Sequence, residues 1–78
     1  MLKYELAENT DQYAAYRYFV EGNGDAGLIV VNKADGAIIH TVPAPEDSIM
    51  WYARKLYRHI TKWIEAGTMP LEGTIAWY

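Results

Sequence analysis

Two histidines, ten carboxylates and seven tyrosines carry the acid–base capacity of this 78-residue chain. His40 or His59 would serve as a proton carrier near neutral pH, since an unperturbed imidazole titrates at about 6.5. A general base also needs an oriented partner and a pocket. Asp35, Glu46, Asp47 and Glu65 are available carboxylates, but no spacing ties any of them to either imidazole. Both histidines therefore read as surface or structural residues, and no catalytic residue is assigned. The absence of cysteine removes thiolate catalysis, disulfides and every Cys-based metal site. Glu5, Glu8 and Asp11 cluster in sequence but lack an EF-hand frame or a histidine ligand pattern, so neither a metal nor a cofactor is expected.

Aromatic and basic side chains offer recognition chemistry instead. Tyr13, Tyr16, Tyr18, Tyr52, Tyr57 and Tyr78 combine ring area with a hydroxyl and could line a ligand groove, the basis for a small enzyme or ligand-binding reading. A small sheet also needs bulky residues, which assigns Tyr16 and Tyr18 to its covered face and Tyr57 to a helix–sheet contact. Tyr13, Phe19, Trp51 and Tyr52 remain as interface candidates. Arg54, Arg58 and Lys62 recur every four residues, with Lys55 beside them, and Trp51, Tyr52 or His59 could stack on a base. Weak nucleic-acid binding is thus one alternative. The net charge of −3 argues for a solvated helix face rather than a phosphate-binding one.

Charge is unevenly distributed: residues 1–47 carry eight acids and three bases, a balance of −5, whereas residues 48–78 carry two acids and four bases, a balance of +2. Such asymmetry suits association with an acidic partner or a second copy.

Asn32-Lys33-Ala34-Asp35 follows the aliphatic run Leu28 to Val31 and resembles the guanine-recognition element of GTP-binding proteins. No Gly-x-x-x-x-Gly-Lys-Ser/Thr loop accompanies it, and Asp35-Gly36 suits a hairpin turn, so no family is assigned. Gly22-Asn23-Gly24 precedes a strand-like run rather than a helix, and reads as a turn instead of a phosphate cradle.

The elements that would position these residues follow from periodicity. Leu2 to Ala7 and Tyr13 to Glu21 read as strands separated by the polar stretch Glu8 to Gln12. In the second, Tyr16, Tyr18 and Val20 share one face, with Ala15, Arg17, Phe19 and Glu21 on the other. Gly27 to Asn32 and Ala37 to Val42 form an antiparallel hairpin through Lys33-Ala34-Asp35-Gly36, where Gly36 supplies a positive φ. Pro43 and Pro45 end strand pairing. A capped amphipathic helix of about 20 residues is expected between Pro45 and Pro70, its first turn holding Pro45, Glu46 and Asp47, or else capped by Asp47 or Ser48. Ile49, Ala53, Leu56, Ile60 and Trp63 or Ile64 form its apolar stripe, and Gly67 its C-terminal stop. Thr74 to Tyr78 reads as a last strand of the same sheet.

The expectation is one compact α+β domain over residues 1–78: a mostly antiparallel sheet of four to five strands packed on one long amphipathic helix, in the order β-β-β-β-α-β. Its apolar runs are far shorter than the roughly 18 residues of a membrane span. Met1 to Glu5 shows no basic region followed by an apolar run, which with the lack of cysteine makes a cytoplasmic location the expectation. The leading functional expectation is a non-catalytic protein-interaction module, homodimeric or docking another protein, through Phe19, Trp51, Tyr52, Lys55, Arg58, His59 and Lys62.

Overall fold

The computed structural model describes residues 1–20 and 24–76. Four strands run in succession, β1 (Leu2–Asn9), β2 (Tyr13–Val20), β3 (Gly27–Asn32) and β4 (Ile38–Val42), followed by helix α1 (Trp51–Ala66) and strand β5 (Glu72–Ile75). The α+β class and the order β-β-β-β-α-β are as the sequence indicates. All four pairings are antiparallel, and the five-stranded sheet has the order β4-β3-β2-β1-β5. The connection through α1 therefore carries the chain from one sheet edge to the other.

Period-two alternation decides which face is covered. Ala14, Tyr16, Tyr18 and Val20 of β2 join Leu2, Tyr4, Ile29 and Val31 in the core, against Ala53, Leu56 and Ile60 of α1. The helix lies over β2 and β3. The opposite face carries Tyr13, Ala15, Arg17 and Phe19 of β2 with Leu28 and Val30 of β3, and no described element covers it. Gly27 stands where β3 passes Tyr18: a Cβ there would lie 2.3 Å from the tyrosine ring and 2.6 Å from the Ala44 nitrogen, so no larger residue fits. Gly36 takes the expected positive φ, 74°, in the β3–β4 turn.

The helix begins later than its composition suggests. Residues 45–50 are two turns closed by Asp47 N–H to the Ala44 carbonyl and Met50 N–H to the Asp47 carbonyl, both 2.9 Å. Met50 then adopts a left-handed conformation at φ 63°, which breaks any helical continuity from Pro45. The first turn accordingly contains no acid, and Ile49, expected in the apolar stripe, is 74% exposed ahead of the helix. Anchoring by Ala44 and Asp47 is the physical reason: both are buried against Tyr18, and a helix through them would carry them off that contact. Gly67 closes the other end, with its N–H on the Ile64 carbonyl and the Thr68 N–H on that of Trp63.

Strand β5 starts at Glu72 rather than Thr74 and pairs Leu2↔Ile75 through Glu5↔Glu72. Trp77 and Tyr78, assigned to that strand from sequence, lie outside the described residues, as do Glu21, Gly22 and Asn23.

Candidate functional site

The buried polar side chains are engaged in holding the fold. Asp47 is the buried carboxylate of the core, 1% exposed. Its Oδ1 accepts the Tyr52 N–H at 3.0 Å, and its Oδ2 accepts the Ala53 N–H at 3.0 Å and the Tyr18 hydroxyl at 2.7 Å. The Tyr18 oxygen in turn accepts the Ala44 N–H at 3.1 Å. Asp47 thus caps α1 from outside the helix, serving orphan N–H groups that Met50 has no side chain to reach. Burial, and secondarily the hydrogen bond to Asp47, raises the Tyr18 pKa well above that of free tyrosine, with the Ala44 N–H opposing the shift. This cluster opens to no substrate, because its donors and acceptors are matched inward.

A second cluster surrounds Trp63. Its ring centroid lies 5.0 Å from Tyr4, 5.4 Å from Tyr16 and 5.9 Å from His59. The Tyr16 hydroxyl donates to the Pro70 carbonyl at 2.7 Å, fixing the approach to β5. Burial, with the neighbouring Tyr4 second, pushes the Tyr16 pKa up to about 12. Desolvation, with Lys62 second, lowers that of His59 and favours its neutral form. Among the described residues no carboxylate hydrogen-bonds to His59, and His40 lies exposed on β4, away from it. Among the described residues, no three His, Cys, Asp or Glu side chains converge to hold a metal.

Asn32-Lys33-Ala34-Asp35 is consumed by its turn. Asn32 Oδ1 accepts the Ala34 N–H, Asp35 Oδ1 accepts the Ala37 N–H, and Lys33 Nζ donates to Asn9 Oδ1. Tyr57 closes over the same turn by donating to the Gly36 carbonyl. The adjoining depression of about 390 Å³ lies between this turn and α1, with Lys33, Asp35, Tyr57, Thr61 and Glu65 in its lining.

The expected interaction residues fall on two surfaces. On α1, Lys55 Nζ sits 5.1 Å from the Trp51 ring centroid, and Trp51 meets Tyr52 edge-on at 5.1 Å. Tyr52 also packs against the core, while Arg58 and Lys62 are exposed and His59 leans on Trp63. Phe19 belongs to the other side of the molecule, half-buried on the open sheet face opposite Lys3. The sheet stands between it and the helix residues.

The open face and its β4 border contain the exposed aliphatics that sequence reading does not single out. Val42 pairs with Leu28 and His40 with Val30 on the open face, whereas Ile38 pairs with Val31 on the helix side; a bulge at Ile39 separates them. Ile38, Ile39 and Val42 are 45%, 55% and 46% exposed. Inward of them, Ala15, Arg17, Leu28, Val30 and Ile39 border a depression of about 520 Å³. The sequence signal was present: Ile38 to Val42 contains no Lys, Arg, Asp or Glu. Its position at an uncovered edge was not.

No family model, curated protein or solved structure matches this chain. Among the described residues, no helix is long and apolar enough to cross a membrane.

Proposed function

We propose that this chain is a small non-catalytic protein-interaction module that docks through β4 and the adjoining open face of its sheet. The supporting observation is β4 itself, whose aliphatic side chains are exposed on both faces while its outer backbone edge has no described neighbour. An edge strand of this kind is a template for strand addition, with main-chain hydrogen bonds supplying affinity and alternate side chains supplying specificity. The inward use of Asp47, Tyr18 and Tyr16 fits a scaffold rather than a reaction site.

Partner capture by immobilised protein, read with thermal unfolding of each variant, tests this reading. Val42→Lys is expected to abolish capture while leaving the fold intact, since Val42 is already exposed. Capture unchanged in that variant overturns the proposal.

A second reading rests on the outer face of α1, where Arg54, Arg58 and Lys62 are exposed and engage no described carboxylate. If that face docks the partner, Trp51→Ala weakens capture more than folding and Val42→Lys does not. If it binds nucleic acid instead, titration with DNA and RNA gives a saturable signal that falls between low and moderate salt.

A further inference from the structure

We propose that β4 pairs with β4 of a second copy of this chain, antiparallel about a two-fold axis at Thr41, joining two five-stranded sheets into one of ten. This deepens the interaction reading by naming the occupant of the edge, and rests on it.

β4 exposes aliphatic side chains, Ile38, Ile39 and Val42, along a border unpaired among the described residues. A strand with one wet face alternates apolar and polar residues, whereas one flanked and covered on both sides is aliphatic throughout. Ile38-Ile39-His40-Thr41-Val42 keeps neither pattern fully, but it sets aliphatic side chains on both faces, Ile38 on the helix side and Val42 on the open side, and yet occupies the border of the sheet. The opposite border shows how this chain treats an edge left in water. β5 has four residues, includes the acid Glu72, and follows Pro70. Charge, shortness and proline are the devices that blunt an edge; β4 is also short and is followed directly by Pro43, and what sets it apart from β5 is that its span carries no Lys, Arg, Asp or Glu.

A second copy fits this edge on three grounds. Antiparallel pairing of a strand with itself is self-complementary, because each contact of residue i with j recurs as j with i, the requirement of a closed two-fold dimer. Secondly, β4 carries no Lys, Arg, Asp or Glu, so two copies of the strand bring no such charges together although the chain carries −3 overall. Nothing in the strand selects a charged peptide. Thirdly, the bulge restricts the register. Opposed residues must share a face, and centring on Thr41 sets Thr41 against the partner's Thr41 on the helix side and His40 against the partner's Val42 on the open side. A shift of one residue opposes side chains from different faces. The two-fold stands perpendicular to the sheet, leaving both helices on one side and a continuous open face on the other.

A standard stable interface takes about 800 Å² from each partner, roughly one-sixth of the 4797 Å² that this molecule exposes. Edge pairing through one five-residue strand is a small contact, so the test covers dissociation constants from the micromolar range upward.

Sedimentation equilibrium from about 1 μM to about 1 mM spans that range. The wild type is expected to pass from the mass of one 8.9 kDa chain to that of two. Val42→Lys is expected to stay at one chain throughout with an unchanged unfolding temperature, and Thr74→Lys on β5 to dimerise as the wild type does. Because the chain has no cysteine, Thr41→Cys gives a register-specific readout. Directly opposed strand residues have Cα atoms about 4.5–5.5 Å apart, within disulfide reach. Mild oxidation is therefore expected to link Thr41→Cys into a covalent dimer and to leave Thr74→Cys monomeric. A one-chain mass up to about 1 mM overturns self-pairing, as does a dimer that survives Val42→Lys. Failure of self-pairing leaves the broader interaction reading to its own test, loss of partner capture in Val42→Lys.

Discussion

The two edges of the sheet are built from opposite materials and tied down in opposite ways. β5 is short and carries Glu72, and the chain entering it is held by the Tyr16 hydroxyl on the Pro70 carbonyl and by the Leu6 N–H on the Leu71 carbonyl, both at 2.7 Å. Its side of the molecule is fastened to the core immediately before the strand begins. β4 is fastened immediately after it ends, where Ala44 and Asp47 lock onto Tyr18, and its own aliphatics remain in solvent. Anchoring directly beside β4 fixes where that strand begins its return toward α1, which suits the docking edge proposed above. A rigid edge loses less conformational freedom when a partner binds, and so retains more of the contact energy as affinity.

The largest expected effect breaks the anchor on the β4 side. Asp47→Ala leaves the Tyr52 and Ala53 N–H groups and the Tyr18 hydroxyl without their acceptor, a loss of about 3 kcal/mol. For a domain of this size that is a large part of total stability, which is about 0.05–0.15 kcal/mol per residue. Chemical denaturation measures it. A loss below about 1 kcal/mol would mean that the segment after β4 is held by something other than this carboxylate.

The corresponding anchor beside β5 is weaker. Tyr16→Phe removes one hydrogen bond and is expected to lower stability by about 1 kcal/mol. Amide exchange should quicken selectively in β5 while β4 is unchanged. Equal quickening in both edges would contradict the separate anchoring of the two borders.

Alkaline pH probes the same residue without substitution. Burial raises the Tyr16 pKa to about 12 when folded, against the ordinary tyrosine value of 10.0, so the unfolded chain releases this proton first. Its contribution is fully present below about pH 10 and is lost as pH rises to about 12. Stability measured across that window should fall more steeply for the wild type than for Tyr16→Phe. Parallel slopes would remove Tyr16 from the account of alkaline unfolding.

The smallest effect lies away from both edges. Lys55→Ala gives up an exposed cation–π contact with Trp51, expected to be worth about 0.5 kcal/mol or less. Partner capture and oligomeric mass should be unchanged if β4 is the working surface. A change in either would shift the comparison from the sheet borders to the helix.

Local patterning made much of this architecture legible. Alternation in Tyr13 to Val20 placed Tyr16 and Tyr18 inward and Arg17 and Phe19 outward, since strand side chains must point to opposite faces whatever lies around them. Asp35-Gly36 marked the β3–β4 turn because few residues accept a positive φ. The helix start was not legible in the same way. Pro45, Glu46 and Asp47 have the composition of a first turn, but the tie between Tyr18 and Asp47 spans 29 residues of sequence and holds them outside the helix.

By itself the sequence determined the class and order of the elements, the hairpin, the covered face of β2 and the lack of thiol chemistry, all of which depend on side-chain type and short-range period. Only the tertiary structure decided that β5 returns beside β1, that Asp47 is buried as a cap, and that Phe19 is separated by the sheet from Trp51. It also decided that Ile38 to Val42 stands at a border. A short run without Lys, Arg, Asp or Glu reads the same in the middle of a sheet as at its edge, and the difference lies in which strands pair, a long-range outcome that no local period encodes.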